Sequence, residues 1–139
     1  MIIPNLMATD LGRSIAFYRD VVGMAFVFGV SATREDLDET AAAARGVFAV
    51  MAIDGAQLML QTPASLAEDL DFFAGVDAPG PAGTVYIRDV DPDAVAARAP
   101  AGSLIKGPEQ AWYGMREAYL RDPDGHIICV GKPEGPPPT

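Results

Sequence analysis

The chain repeats itself, and that repeat limits what it can fold into. Asp10 and Asp91 each follow a short apolar run and precede a segment of helical periodicity, and each half closes on an Asp-Gly turn, Asp54-Gly55 and Asp122-Pro123-Asp124-Gly125. An Asp before a helix accepts the orphan N–H groups of the first turn. A Gly after Asp between apolar runs takes the positive φ of a tight hairpin. From cap to turn the first copy spans 44 positions (10 to 54) and the second 33 (91 to 124). The excess of 11 is of the size of an acidic, Ala-rich stretch, Ser31 to Arg45. The chain therefore reads as two copies of strand–helix–strand–strand–strand, the first carrying an insertion. An ordinary α+β sandwich would not predict matched caps and matched final turns.

The first copy opens with an apolar strand, Ile2 to Ala8, and a helix in which Leu11, Ile15, Tyr18 and Val22 recur up to the stop at Gly23. Met24 to Val30 is a second strand, Ser31 to Arg45 reads as a mobile or partly helical insert, and Val47–Ile53 and Ala56–Gln61 form the closing hairpin. Pro63 opens a helix through Phe73, at a position where its missing N–H costs nothing, and Gly75 to Gly83 reads as a linker. The second copy runs through a strand at Thr84–Arg88, a helix from Pro92 to Ala99, a short strand at Ser103–Lys106 and the hairpin between Trp112 and Val130. Lys132 to Thr139 is Pro-rich and reads as an extended, disordered tail. The chain is thus a single domain over 1–139, with module one at 1–62, a linker helix and loop at 63–82, module two at 83–131 and a tail at 132–139.

A net charge of −9 and a pI near 4.3 argue against nucleic acid and anionic membrane as partners, and suit a cationic ligand. One cysteine excludes an internal disulfide and a Cys-based metal cluster, which fits a cytoplasmic protein. No signal peptide and no apolar run near the ~20 residues of a membrane span are read.

Strand alternation sorts the last hairpin into two faces. Arg116, Ala118 and Leu120 share one with Ile128 and Val130; Glu117 and Tyr119 share the other with Ile127, Cys129 and Gly131. The same parity places Asn5, Met7, Gln57, Met59, Thr84, Tyr86 and Arg88 on the mixed face. Trp112 and Tyr113 fall at its rim, where Trp112 either stacks on a planar ligand or covers the hairpin. Glu117 is the natural partner for a ligand cation, although Arg88 is placed to pair with it across the sheet. His126, the only histidine, reads as a turn residue, and Cys129 as an inert small hydrophobe.

The runs Asp10-Leu-Gly-Arg-Ser-Ile-Ala-Phe-Tyr18 with Val22-Gly-Met24, and Gly114-Met-Arg-Glu117 with Asp122-Pro-Asp-Gly125, resemble the vicinal oxygen chelate superfamily: glyoxalase I, extradiol dioxygenases, fosfomycin-resistance enzymes and bleomycin-resistance proteins. The resemblance covers nearly the whole chain. It implies an α+β fold in which two βαβββ modules form a curved eight-stranded mixed sheet, with a concave cleft and the helices outside. In metal-bearing members one ligand lies seven residues before each capping Asp and another four after the Gly of each final turn. Carried onto this chain, those positions are Ile3, Met59, Thr84 and Cys129. An alkyl group, a thioether, a hydroxyl and one thiol make a poor site for a divalent cation, so neither metal nor other cofactor is expected.

The run Trp112-Tyr-Gly-Met-Arg-Glu117 is similar to the corresponding run of the metal-free bleomycin-resistance proteins. That likeness implies a homodimer binding a partly aromatic, cationic small molecule in a cleft shared by two chains, without chemistry. The ligand-binding residues expected are Asn5, Met7, Met59, Thr84, Tyr86, Arg88, Trp112, Tyr113, Glu117, Tyr119 and Cys129, with no catalytic residue. The alternatives are a metal-independent lyase or isomerase using Glu117 or Tyr119 as acid or base, or a metal-dependent glyoxalase or dioxygenase with an atypical ligand set.

Overall fold

The periodicity after Asp10 forms helix α1 (Leu11–Phe17), and the Asp10 carboxylate accepts the Arg13 N–H at 3.0 Å. The computed structural model describes residues 1–80 and 82–136. It divides the chain into two compact units, Met1–Gly80 and Pro81–Thr139.

Unit one runs β1 (Asn5–Met7), α1, a π-helical turn (Tyr18–Val22), β2 (Ala25–Ser31), β3 (Asp36–Leu37), α2 (Glu39–Arg45), β4 (Gly46–Ile53), β5 (Ala56–Gln61), α3 (Pro63–Asp69) and a 3-10 turn (Asp71–Phe73). Its sheet has the order β1-β5-β4-β2-β3, with β1 parallel to β5 and the other neighbours antiparallel. Alternation along β4 and β5 buries Ala49, Met51, Leu58 and Leu60 on one face, and the helical row Leu11, Ile15 and Val22 is buried with them. The other face carries Asn5, Phe28, Val30, Phe48, Val50, Met59 and Gln61, of which Val50 and Gln61 are buried.

Of the two expectations for Ser31–Arg45, a mobile or a partly helical insert, the structure shows the partly helical one. The stretch supplies β3 and α2, the latter capped by the Asp38 carboxylate on the Ala41 N–H at 2.9 Å. Its alanine run has a packing reason. A Cβ on Gly12 of α1 would lie 2.6 Å from the Ala43 carbonyl oxygen, and one on Gly29 of β2 would lie 2.7 Å from the Ala42 Cβ. Ala42 is fully buried. Small side chains here let α2 approach α1 and the sheet at backbone distance, and Arg19 bridges to Glu39 at 2.7 Å beside the contact.

Unit two runs β6 (Thr84–Arg88), α4 (Pro92–Arg98), β7 (Leu104–Gln110), β8 (Met115–Arg121) and β9 (Ile127–Pro133). Its order is β6-β9-β8-β7, with β6 parallel to β9. Set beside β1-β5-β4-β2 of unit one, this is the same four-stranded motif, and β3 is the addition. Each unit is therefore a βαβββ module of an α+β fold, and the described residues hold nine strands rather than eight. Ala118, Leu120, Ile128 and Val130 are fully buried on one face of the sheet, where Ile87 of β6 and Val95 of α4 are also buried. The final turn is tied by the buried Asp122, whose carboxylate accepts the Asp124 and His126 N–H groups at 2.9 Å, with Gly125 at φ 89°.

Several boundaries differ from expectation. The helix expected from Pro63 through Phe73 ends at Asp69, before the 3-10 turn. β1 starts at Asn5 rather than Ile2, and β7 continues to Gln110 rather than ending at Lys106. The expected tail is tied down as far as Gly135: β9 continues to Pro133, and the Glu134 and Gly135 N–H groups donate to the Gly114 carbonyl at 2.9 and 3.1 Å. The disorder expected of 137–139, and Pro81 in the expected linker, lie outside the described residues. Among the described residues no helix is long and apolar enough to cross a membrane.

The Gly12 contact yields a direct test. Gly12→Ala is expected to destabilise the protein by about 1–3 kcal/mol, as overpacking does. In a urea melt it lowers the midpoint and leaves the slope unchanged.

Candidate functional site

The open face of the unit-two sheet carries two cross-strand rows. One runs Tyr86, Cys129, Tyr119, Lys106 across β6, β9, β8 and β7; the other runs Arg88, Gly131, Glu117, Glu109. The parity expected for the hairpin holds throughout. Beyond β7 the chain turns through Ala111–Gly114, with the Gly114 N–H donating to the Ala111 carbonyl at 3.0 Å. This turn carries Trp112 and Tyr113 edge to face, with ring centroids 5.3 Å apart. The turn and the β7–β8 side of this face border a cavity of about 360 Å³ lined by Lys106, Glu109, Trp112, Tyr113, Glu117 and Tyr119.

Glu117 is the unusual member. It lies on the open face and yet is only 3 % exposed, because phenol rings surround it. The Tyr113 hydroxyl donates to its Oε1, while Oε2 is buried with no partner within hydrogen-bond distance among the described residues. Arg88 does not pair with it as the sequence had allowed; its guanidinium lies 3.8 Å from Asp89. Gly131 makes the arrangement possible. A Cβ there would meet the Tyr86 hydroxyl at 2.5 Å and the Glu117 Cγ at 3.2 Å, so the bare backbone leaves the space in which the Tyr86 phenol reaches the carboxylate.

The surrounding groups titrate late. The hydrogen bond to Glu117, then burial, holds the Tyr113 phenol above its ordinary value; burial, then the Glu117 carboxylate, does the same for Tyr86. Tyr119 is raised through its contact with the Cys129 thiol and by burial. Burial pushes Cys129 itself up to about 11, although the Tyr119 hydroxyl partly offsets this. At neutral pH the three phenols and the thiol are therefore neutral. The Lys106 ammonium stands at the rim, 3.3 Å from Glu109 and 6.0 Å from the Tyr119 ring centroid.

Of the residues expected at the site, Trp112, Tyr113, Glu117 and Tyr119 line this cavity, with Tyr86 and Cys129 beside them on the sheet. Thr84 and Arg88 share the face but not the cavity. Asn5, Met7 and Met59 belong to unit one: Asn5 donates its amide to the Gln61 side chain at 2.8 Å, and Met7 is buried. Lys106 and Gly131 were not singled out in sequence. Continuing the alternation of β8 onto a longer β7 would have placed Lys106, whereas the role of Gly131 depends on a ring from another strand.

In the register Asn5 lies opposite Met59 and Tyr86 opposite Cys129, while Thr84 lies opposite Ile127 and Ile3 precedes β1. The alkyl group, thioether, hydroxyl and thiol at the counted positions do not suit a divalent cation, nor do the amide and phenol facing two of them. No group of three His, Cys, Asp or Glu side chains able to hold a metal occurs among the described residues.

Comparison with known proteins agrees with the fold. The sequence pattern of the Glyoxalase/Bleomycin resistance protein/Dioxygenase superfamily matches residues 4–130. No curated protein matches the chain in sequence. Among solved structures, a glyoxalase/bleomycin resistance protein/dioxygenase family enzyme from Burkholderia phytofirmans PsJN is similar at 16% identity, covering 94% of this chain and 95% of that one, with a TM-score of 0.66. A protein of unknown function from Agrobacterium tumefaciens str. C58 is 25% identical over 95% of this chain and 92% of that one, with a TM-score of 0.65. TnmS3, an antibiotic binding protein from Streptomyces sp. CB03234, is 20% identical over 95% and 93% of the two chains, with a TM-score of 0.61. At such identities the likeness is one of fold.

Two measurements check the electrostatics. In an absorbance titration, Glu117→Gln is expected to move phenol ionisation down toward the ordinary value of about 10, because the carboxylate that opposes phenolate is gone. Since the folded values are raised, the stability these phenols contribute is intact below pH ~10 and is lost as pH climbs through the folded values. Cys129 is fully buried with a raised pKa, so iodoacetamide at pH 8 should leave the native protein unmodified and label it only after unfolding.

Proposed function

We propose, for a chain that belongs to the Glyoxalase/Bleomycin resistance protein/Dioxygenase superfamily, that it is a metal-free small-molecule-binding protein whose ligand is partly aromatic and cationic. The observation that carries this reading is the Glu117 carboxyl group beside the cavity: buried, held through one oxygen by Tyr113, with the other buried and without a hydrogen-bond partner among the described residues. A buried acceptor left unmatched costs about 1–3 kcal/mol, and a ligand N–H or ammonium would remove that cost. Trp112, 86 % exposed at the rim, supplies an apolar plane for a ring system. The net charge of −9 draws cations toward the chain.

Two relations support this use of the cavity. TnmS3 shares the fold and is an antibiotic binding protein, and the run Trp112–Glu117 is similar to that of bleomycin-resistance proteins. On this reading the protein acts in the cytoplasm as a homodimer, sequesters its ligand and returns it unchanged. A second reading rests on the same group: an unpartnered carboxyl oxygen beside a cavity is also a candidate general base, and a metal-independent lyase or isomerase would use it so.

Calorimetric titration with metal-free bleomycin tests the proposal. Expected are one site per chain, quenching of Trp112 fluorescence, and drug recovered with its mass unaltered. Glu117→Gln is expected to weaken binding about tenfold or more, since a hydrogen bond to a charged group contributes about 1.5–3 kcal/mol. Binding that Glu117→Gln leaves unchanged would overturn the assignment, and altered drug would favour the enzyme. A native mass spectrum at the titration concentration reads the dimer directly.

A further inference from the structure

Unit one contains a cavity of its own, about 290 Å³, that the reading above does not use. Its floor is a single cross-strand row, Val30–Phe48–Gln61, across β2, β4 and β5. Gln61, 5 % exposed, is locked in place there. Its Oε1 accepts from Asn5 at 2.8 Å, and its Nε2 donates to Ser65 at 2.9 Å and Asp69 at 2.7 Å. One wall is α3, with Glu68 and Asp69; the other is the turn after β2, with Arg34.

The turn is built to hold Arg34 over this space. The buried Ser31 Oγ accepts the Thr33 and Glu35 N–H groups at 3.3 and 3.0 Å, and Arg34 sits in the left-handed region at φ 65°. The acid next to it is diverted: Glu35 bridges to Arg45 at 2.7 Å. Among the described residues the Arg34 guanidinium therefore has no ion pair, whereas Arg19, Arg45 and Arg116 all do. Glu68 has no partner either, and Asp69 uses only Oδ2. A free guanidinium and two carboxylates border one cavity without bridging, so the attraction between them is available to a molecule that spans it.

We infer that this cavity binds a small zwitterion of the amino-acid type. Its carboxylate meets the Arg34 fork, which suits planar bidentate anions. Its ammonium meets Glu68 and the open oxygen of Asp69, and its apolar side chain lies on Val30 and Phe48. A volume of about 290 Å³, at the low end of small-molecule pockets, accommodates a single amino acid.

The test uses the full chain and three probes: L-phenylalanine, N-acetyl-L-phenylalanine, which lacks the cation, and L-phenylalaninamide, which lacks the anion. L-phenylalanine should bind one site per chain, and each single-charge derivative at least tenfold more weakly. Arg34→Gln and Glu68→Gln should each weaken L-phenylalanine at least tenfold. Both side chains are exposed and without partners among the described residues, so circular dichroism and the melting temperature should match the parent. In an amide NMR titration the Gln61 side-chain NH2 and the backbone amides of 31–35 shift, while the Trp112 indole N–H does not. No binding at millimolar L-phenylalanine overturns the inference. So does equal affinity for the derivatives, insensitivity to Arg34→Gln, or a titration felt at Trp112 with Gln61 silent. None of those failures bears on bleomycin binding at Glu117.

Discussion

A carboxylate held out of water without a counter-ion is the constraint around which unit two is arranged. Burying an ionised group costs several kcal/mol unless dipoles replace the water. Around Glu117 the replacements are phenols, chiefly the Tyr113 hydroxyl, with Tyr86 reaching in over the bare backbone of Gly131. No guanidinium neutralises it, since Arg88 turns to Asp89 and Arg116, on the opposite face, pairs bidentately with Asp93. The satisfaction is incomplete at one oxygen, which has no hydrogen-bond partner among the described residues.

The frame that presents this group is ordinary packing. In each unit the first strand lies parallel to the last, which puts an α-helix across the connection and leaves one sheet face uncovered by the module itself. Unit one departs from the shared plan by adding α2 and β3. This addition is integrated through glycines and alanines at backbone contact rather than through large side chains. The same added segment supplies the turn that carries Arg34, so what distinguishes the first copy from the second is also what walls its cavity.

Much of this was legible in the residues. Matched caps and matched Asp-Gly turns identified the two modules, because both signals act within a few residues and owe nothing to distant contacts. Alternation placed Glu117, Tyr119 and Cys129 on one face, and the register agrees. Three features were not legible. The alanine run of α2 gives a weak amphipathic signal, and its order comes from close approach to Gly12 and Gly29, which are distant in sequence. The part played by Gly131 was hidden because it depends on the Tyr86 ring from another strand. The diversion of Arg88 to its neighbour Asp89, leaving Glu117 to phenols, depends on competition among side chains that no periodicity records.

The Gly114 carbonyl receives N–H groups from both Glu134 and Gly135, which straps the last described segment onto the turn bearing Trp112 and Tyr113. A strap of this kind makes the aromatic rim mechanically continuous with the end of β9. Trimming that removes those two donors would release the loop rather than merely shorten an idle appendage. An affinity handle for this protein belongs at the opposite end, ahead of Asn5, where Met1 and Ile2 are almost fully exposed.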